Sequence, residues 1–462
     1  MKRQVRRREF LKSTVIGSLA LGPMVLAGPK AKQTRPNIVV FISDDHGYLD
    51  SATYGSKVVK TPNMDRIACE GMKFSHAFAG SPTCVPSRAI LLTGLYSARN
   101  GAEPNHSTIG ADVQTLPGYF HDLGYDTISC GKSHFNPRKK YPFEYIKSSI
   151  RKGPLNTDLD TAAVQRFLQG RKSSRALFMI VGSHSPHVYW PENHGYTPED
   201  VELPATFVDT PETRRYRTKY YTDVTLMDKR LGEVYDSVKT HLSDNTLFIY
   251  TSDQGAQWPF GKWNLYDAGI RVPMLAVWPG KIEPASYSDA FISFADFLPT
   301  FLELAGGRVP QKLDGKSFAG LLKGQTTSHR TEIYATHSGD GNMNVYPIRC
   351  LRTRTHKYIL NLYPDFIYTT HIDKGQNADG LDFWHSWERA ALTDPKAEAI
   401  VNRYHNRPKE ELYEILADPH ETNNIASLSE NRKILEKMRR KVESWMKSQG
   451  DQGKYFGIPR TK

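Results

Sequence analysis

The sequence predicts an α/β fold: a layered domain on a large, mainly parallel or mixed sheet, followed by a smaller C-terminal α+β domain. Three observations carry this. Short, wholly apolar runs of strand length recur along the chain, helical patterns lie between them, and the texture changes near residue 330. A chain of 462 residues is long enough for two domains. Its 24% charged and 39% hydrophobic residues are ordinary for a globular protein.

The N-terminal segment stands apart from the fold. Arg6-Arg7-Arg8-Glu9-Phe10-Leu11-Lys12 precedes an apolar run, Val15 to Leu26, interrupted by Gly17, Gly22 and Pro23. This predicts a Tat-type export signal over residues 1–27 with cleavage after Ala27. The run is too short and glycine-rich to span a membrane. No cysteine follows to carry a lipid, so no stable membrane anchor is expected. The Tat machinery is an expected partner, and the periplasm or exterior the expected location.

The first element of the fold is Asn37 to Ser43 (NIVVFIS), a buried strand ending in Asp44-Asp45. Asn63 to Glu70 reads as a helix. A helix start falls just after Cys84, because Pro86 and Ser87 suit a first turn and Gly94 a stop. Val164 to Gln169 reads as a further helix. Ala176 to Gly182 (ALFMIVG) is a second strand, ending in Ser183-His184. Tyr216 to Thr240 is the longest helix, with Val224, Met227, Leu231 and Val234 at helical spacing. Asn245 to Ser252 (NTLFIYTS) is a third strand, ending in Asp253-Gln254. The first domain is placed at residues 35–330 and the second at 331–462. In the second, Arg349 to Leu360 is strand-like, Lys409 to Ile425 is a strand or turn then a loop, and Ser427 to Lys447 is an amphipathic helix.

Polar residues thus gather at the C-terminal ends of apolar strands, where open α/β sheets place their sites. Two acid-bearing pairs, Asp44-Asp45 and Asp253-Gln254, offer hard oxygen donors suited to Ca²⁺ or Mg²⁺ rather than zinc. Cys84 sits beside free N–H groups at a helix start, a place to hold an anion. By itself it could equally be a buried apolar residue or a thiol nucleophile. With Cys69, Cys130 and Cys350 the chain has four cysteines, too few for a disulfide framework. The formal charge is +12, of which residues 1–27 contribute +5 (six Lys or Arg, one Glu), leaving +7 for the rest. That excess suits a polyanionic substrate. No nucleic-acid motif is recognisable, and no nucleic-acid partner is expected.

The strings RPNIVVFISDD, CVPSRAILLTG, GKSHF, TSDQG, YDAGIRVPMLAVWPG and LYEILADPHETNN resemble the type I sulfatases of the alkaline phosphatase superfamily, from Arg35 to Ile425. Within that family GKSHFNP, SHSPH, YTDVTLMDK, FGKWNLYDAG, NVYPIR and DPHETNN are most similar to the heparan N-sulfatase (sulfamidase) branch. The resemblance implies an alkaline-phosphatase-like fold. It also implies that Cys84 is oxidised to formylglycine by a formylglycine-generating or anaerobic sulfatase-maturating enzyme.

Asp44, Asp45, Asp253 and Gln254 would bind Ca²⁺, or Mg²⁺, together with the modified Cys84. The family's usual fourth residue is Asn, and Gln254 carries the same amide on a longer arm. Arg88 would hold the aldehyde hydrate that attacks sulfur. Lys132 and Lys262 would clamp the sulfate oxygens. His184 would protonate the leaving group, with His187 a competitor for that role, and His134 would assist collapse of the hydrate. His337 and Arg349 would reach the sugar from the second domain. The implied activity is release of sulfate from a sulfated glycan, with N-sulfoglucosamine the favoured substrate. The alternatives are an O-sulfatase on a marine-type polysaccharide, a phosphonate or phosphate ester hydrolase, and a non-catalytic protein that binds sulfated glycan.

Overall fold

The computed structural model describes residues 35–151 and 157–462, so the expected export signal lies outside the described residues. Eleven strands precede residue 330. They are β1 (Asn37–Ser43), β2 (Met72–Phe78), β3 (Asp126–Gly131), β4 (Glu144–Ile146), β5 (Ser149–Arg151), β6 (Thr157–Leu159), β7 (Leu177–Gly182), β8 (Thr246–Ser252), β9 (Arg271–Val277), β10 (Ser286–Ser288) and β11 (Ile292–Ser293). Four follow: β12 (Glu332–His337), β13 (Ile348–Thr353), β14 (His356–Asn361) and β15 (Glu410–Glu414).

The three apolar runs become β1, β7 and β8, adjacent at the centre of a nine-stranded sheet of order β10-β2-β9-β8-β1-β7-β3-β4, with β11 also on β2. Their side chains are buried on both faces, which is why the runs do not alternate. The sheet is mixed. β1, β3, β7 and β8 run parallel, whereas β9 lies antiparallel to both β8 and β2.

Register explains the site. Ser43 pairs with Ser252, Ile42 with Gly182, and Gly131 with Gly182. The residues that follow these strand ends are Asp44-Asp45, Asp253-Gln254, Ser183-His184 and Lys132, and they emerge side by side along one sheet edge. The β3–β7 crossing is unusually close there. A Cβ on Gly131 would lie 2.1 Å from the Gly182 carbonyl oxygen, and one on Gly182 would lie 2.0 Å from that of Lys132. Only glycine fits either position.

The expected helices form at Pro62–Glu70, Thr161–Gly170 and Pro211–His241, each somewhat longer than its periodic core. The last runs for 31 residues, with Pro211 in its first turn and the Thr210 hydroxyl accepting from the Thr213 N–H. The Cys84–Thr93 helix begins one residue earlier than its sequence suggests, with Thr83 as N-cap and Gly94 closing it at φ 66°.

β12 to β15 form a four-stranded antiparallel sheet. The Arg432–Gln449 helix packs Leu435, Met438 and Val442 against Leu351, Tyr358 and Leu412 of that sheet. A short 3-10 turn at Ser429–Asn431 precedes it, which delays its start relative to the amphipathic pattern. One apolar cluster continues from Tyr250 and Ile270 to Cys350 and Ile359, so the two sheets share a core. All four cysteines are free. Among the described residues, no helix is long and apolar enough to cross a membrane.

Candidate active site

Asp44, Asp45, Asp253 and Gln254 are completely buried at the ends of β1 and β8. Asp45 takes a left-handed conformation, φ 66°, which turns its side chain back toward Asp253. Such strain in a non-glycine residue is concentrated at functional sites. The Asp45 N–H donates to Asp253 Oδ1 at 3.2 Å. Carboxylate oxygens of Asp44, Asp45 and Asp253 all lie within 4.8 Å of one another.

Each acid has a basic partner. Lys132 pairs with Asp44. Lys262 Nζ lies 2.7 Å from Asp45 Oδ2. Arg88 reaches Asp253 Oδ2 through Nε and Nη2, both at 2.9 Å. Arg88 Nη1 also donates to the carbonyls of Lys132 and Ser133, tying the Cys84–Thr93 helix to the end of β3. Burial raises the Asp45 pKa above its ordinary value; Lys262 opposes this and Asp253 adds to it. Despite its own burial, Lys262 is held above the usual lysine range by Asp45.

Cys84 stands at the centre of these groups. Its Sγ lies 3.4 Å from Asp44 Oδ1, 3.9 Å from Lys132 Nζ and 3.1 Å from Gln254 Nε2. The Val85 N–H at this helix start is accepted by Asn105 Oδ1 at 3.3 Å. Burial pushes the Cys84 thiol up to about 12, and nearby Lys262 offsets only part of that. Such burial opposes the thiolate form of Cys84.

A hard divalent cation fits this donor set. Three buried carboxylates face one another, and Gln254 Oε1 is buried without a hydrogen-bond partner while Nε2 donates to Asp45 Oδ1 at 2.7 Å. Rotating that amide would turn the orphan oxygen toward the carboxylates, an arrangement that only a cation between them would favour. The longer arm of Gln254 therefore still brings its amide to the carboxylates.

The histidines divide. The backbone N–H of His184 donates to Asp158 Oδ1 at 2.9 Å. Asp158, on β6, also accepts from Ser183 and Ser185 and pairs with Arg230. His187 reaches the acids, with Nε2 3.7 Å from Asp45 Oδ2 and within 4.8 Å of donor atoms of Asp44 and Cys84. Burial, then Lys262 and Lys132, hold His187 well below the ordinary histidine pKa. His134, at φ 52°, contacts His106 at 3.2 Å.

His337 and Arg349 have protein partners of their own. Both are buried, His337 bonded to Asn344 Oδ1 at 2.7 Å. Arg349 pairs with Asp451 and donates to the His337 carbonyl. Their groups thus brace the small sheet and the C-terminal tail. Sequence reasoning missed Asp158, Asn105, Asp340 and Trp263. Each is tied to the site through spatial neighbours, and no strand end or motif spacing marks them.

Buried carboxylates at the ends of parallel strands, with lysines and an arginine around a helix-start cysteine, define a hydrolase built to handle an oxyanion. The family model described as Sulfatase matches residues 36–307, and the chain belongs to the sulfatase family, hydrolases of sulfate esters or sulfamates. A model described as N-sulphoglucosamine sulphohydrolase, C-terminal, matches residues 255–378. An ulvan-active sulfatase of Formosa agariphila is 32% identical, covering 94% of this chain and 85% of that protein. Human N-sulphoglucosamine sulphohydrolase is 27% identical, covering 89% and 90%. An N-acetylglucosamine-6-O-sulfatase of Bacteroides thetaiotaomicron is 25% identical, covering 96% and 94%.

Among solved structures, one protein in complex with its substrate D-glucosamine-2-N,6-O-disulfate has a TM-score of 0.67 at 23% identity, covering 91% of this chain and 99% of that one. A 2-O GAG sulfatase has a TM-score of 0.68 at 19% identity, covering 92% and 95%. At these identities the likeness is one of fold.

Proposed function

We propose that the protein removes sulfate from a sulfated glycan, with an N-sulfated glucosamine residue as substrate. The observation that carries the choice of sugar is the match of residues 255–378 to the N-sulphoglucosamine sulphohydrolase C-terminal model, supported by similarity to the human enzyme over most of both chains. A second reading, an O-sulfatase on a marine-type polysaccharide, is favoured by the 32% identity to an ulvan-active sulfatase.

In this reading Cys84 is the precursor of formylglycine, whose hydrated aldehyde supplies a two-hydroxyl nucleophile, and Ca²⁺ (or Mg²⁺) supplies charge to hold it. Asp44, Asp45, Asp253 and Gln254 would hold the cation. Three carboxylates face three basic groups there. With a cation held by the carboxylates, the Lys132 and Lys262 ammonium groups would turn to the sulfate oxygens. Arg88 keeps Asp253 and the nucleophile's helix in register. Burial, then Lys262 and Lys132, oppose protonation of His187. His184 would be the acid for the departing nitrogen or oxygen, and His134 would assist collapse of the hydrate. Tat export to the periplasm and a cytosolic maturation enzyme complete the proposal.

The test has two parts. Intact-mass spectrometry of natively produced protein should show Cys84 converted. Released sulfate is then measured over a panel of defined saccharides, including N-sulfoglucosamine and O-sulfated sugars. Turnover of O-sulfates alone would replace the favoured substrate with the second reading, and an unconverted thiol without turnover would sink the enzymatic reading.

A further inference from the structure

His134 uses only one ring nitrogen. Its Nε2 lies 3.2 Å from His106 Nδ1, while its Nδ1 is buried with no hydrogen-bond partner. Burial, then the positive charges of Lys132 and Arg88, lower its pKa to about 2, so the ring is neutral and carries one N–H. Which nitrogen bears that proton decides what the ring can do. A buried N–H with no acceptor, near cations, is costly, whereas a lone pair there is not.

The other side of the pair is anchored. His106 is itself at φ 65° with a side chain 62% exposed, and its Nε2 lies 3.6 Å from Asp340 Oδ1. Asp340 is rigid and buried. Its Oδ2 accepts from Trp263 Nε1 at 2.8 Å and from Asn105 Nδ2 at 3.0 Å. His371 Nε2 stands 3.6 Å away, its ring stacked on Trp263. The Asp340 backbone is pinned to Asn344.

We propose that Asp340 and His106 are positioning residues that fix His134 as its Nε2–H tautomer and leave Nδ1 as a hydrogen-bond acceptor in the site. The carboxylate draws the His106 proton to Nε2, and His106 Nδ1 then accepts from His134 Nε2–H. The Asn105 amide also approaches His106 Nε2, at 3.2 Å, and would favour the opposite tautomer. A full carboxylate charge outweighs that amide dipole. Neither His106 nor Asp340 belongs to a strand-end pair or to the string around His134. The tautomer matters for turnover only if His134 serves the hydrolysis proposed above, but the fold fixes it in either case.

The primary test needs no conversion, metal or turnover. Full-length protein with Cys84 left as a thiol, labelled with ¹⁵N-histidine, is studied by solid-state ¹⁵N NMR, with His134 assigned by the signals lost in His134→Gln. His134 is expected to show a protonated Nε2 and a bare Nδ1. His106→Ala, at an exposed side chain whose loss spares the fold, should abolish that single-tautomer pattern, as should Asp340→Asn. His106→Asn, which keeps an acceptor near the former Nδ1, should retain it. A protonated Nδ1 in the parent protein, or an unchanged His134 in His106→Ala, overturns the proposal.

In converted enzyme, His106→Ala should lower kcat about tenfold to a hundredfold at constant KM, with His106→Asn recovering most of the loss. A rise in KM alone would make His106 a sugar contact and overturn the positioning role. Absence of turnover in converted parent enzyme, with the tautomer intact, fails the sulfatase reading and upholds this one.

Discussion

Arg88 Nε and Nη2 both contact Asp253 Oδ2 at 2.9 Å, in a pair with almost no solvent exposure on either side. The pair links the Cys84–Thr93 helix to the end of β8, and so fixes the distance between Cys84 and the buried acids. Arg88→Ala leaves a buried carboxylate alone, which costs about 3–5 kcal/mol. Urea unfolding of the variant should show this loss, and Arg88→Ala with Asp253→Ala should recover part of it.

Lys262 is the partner of Asp45 and the proposed sulfate clamp. Lys262→Met should lower kcat/KM by about 10²–10³-fold, the usual effect of removing one preorganised donor to a developing oxyanion. Lys262→Arg, which keeps the charge, should fall between. Sulfate release from the best panel substrate measures both. Equal activity in all three proteins would remove Lys262 from the mechanism.

Metal removal should be visible without turnover. A cation bound only by the folded state stabilises it by about 2.7 kcal/mol at one hundred times its dissociation constant. Thermal unfolding of chelator-treated protein should therefore shift upward on adding Ca²⁺. Asp253→Asn and Asp45→Asn should lose that response. A shift that survives both substitutions would place the ion elsewhere.

His337 gives the clearest pH dependence outside the site. Burial, only partly offset by its bond to Asn344, lowers its pKa to about 4. The folded state therefore holds the ring neutral while the unfolded chain protonates near pH 6.5. Its contribution to stability is full above about pH 6.5 and is lost as pH falls toward 4, at no more than about 1.4 kcal/mol per pH unit. His337→Asn should flatten that slope in urea titrations between these pH values. An unchanged slope would show the ring already charged in the native protein.

Much of this was legible from the chain alone. Wholly apolar runs mark β1, β7 and β8 because central parallel strands are covered on both faces, and the polar residues after their ends mark the sheet edge that carries the candidate site. The proximity of Lys132, Cys84 and Lys262 was legible only through the resemblance, since residues so far apart are joined by register and not by spacing. The antiparallel course of β9 had no signal, because its short return from β8 looks like any other apolar run. The partners of His337 and Arg349 were hidden for a related reason: a basic residue on a strand reads as a reaching side chain until its partner is seen, and Asp451 lies 102 positions from Arg349. His187 was weighed and set second, and only geometry shows it beside Asp45.

The crossing of β3 and β7 at Gly131 and Gly182 divides the molecule into parts that can and cannot vary. Both positions exclude any Cβ, so Lys132 is aimed by bare backbone and no neighbouring substitution can compensate for a change there. The cluster of His106, Asp340 and His371 near His134 is instead made of side chains outside the large sheet. Directed evolution toward another sulfated sugar should therefore draw its successful clones from that cluster, while libraries that randomise the two glycines return only inactive proteins.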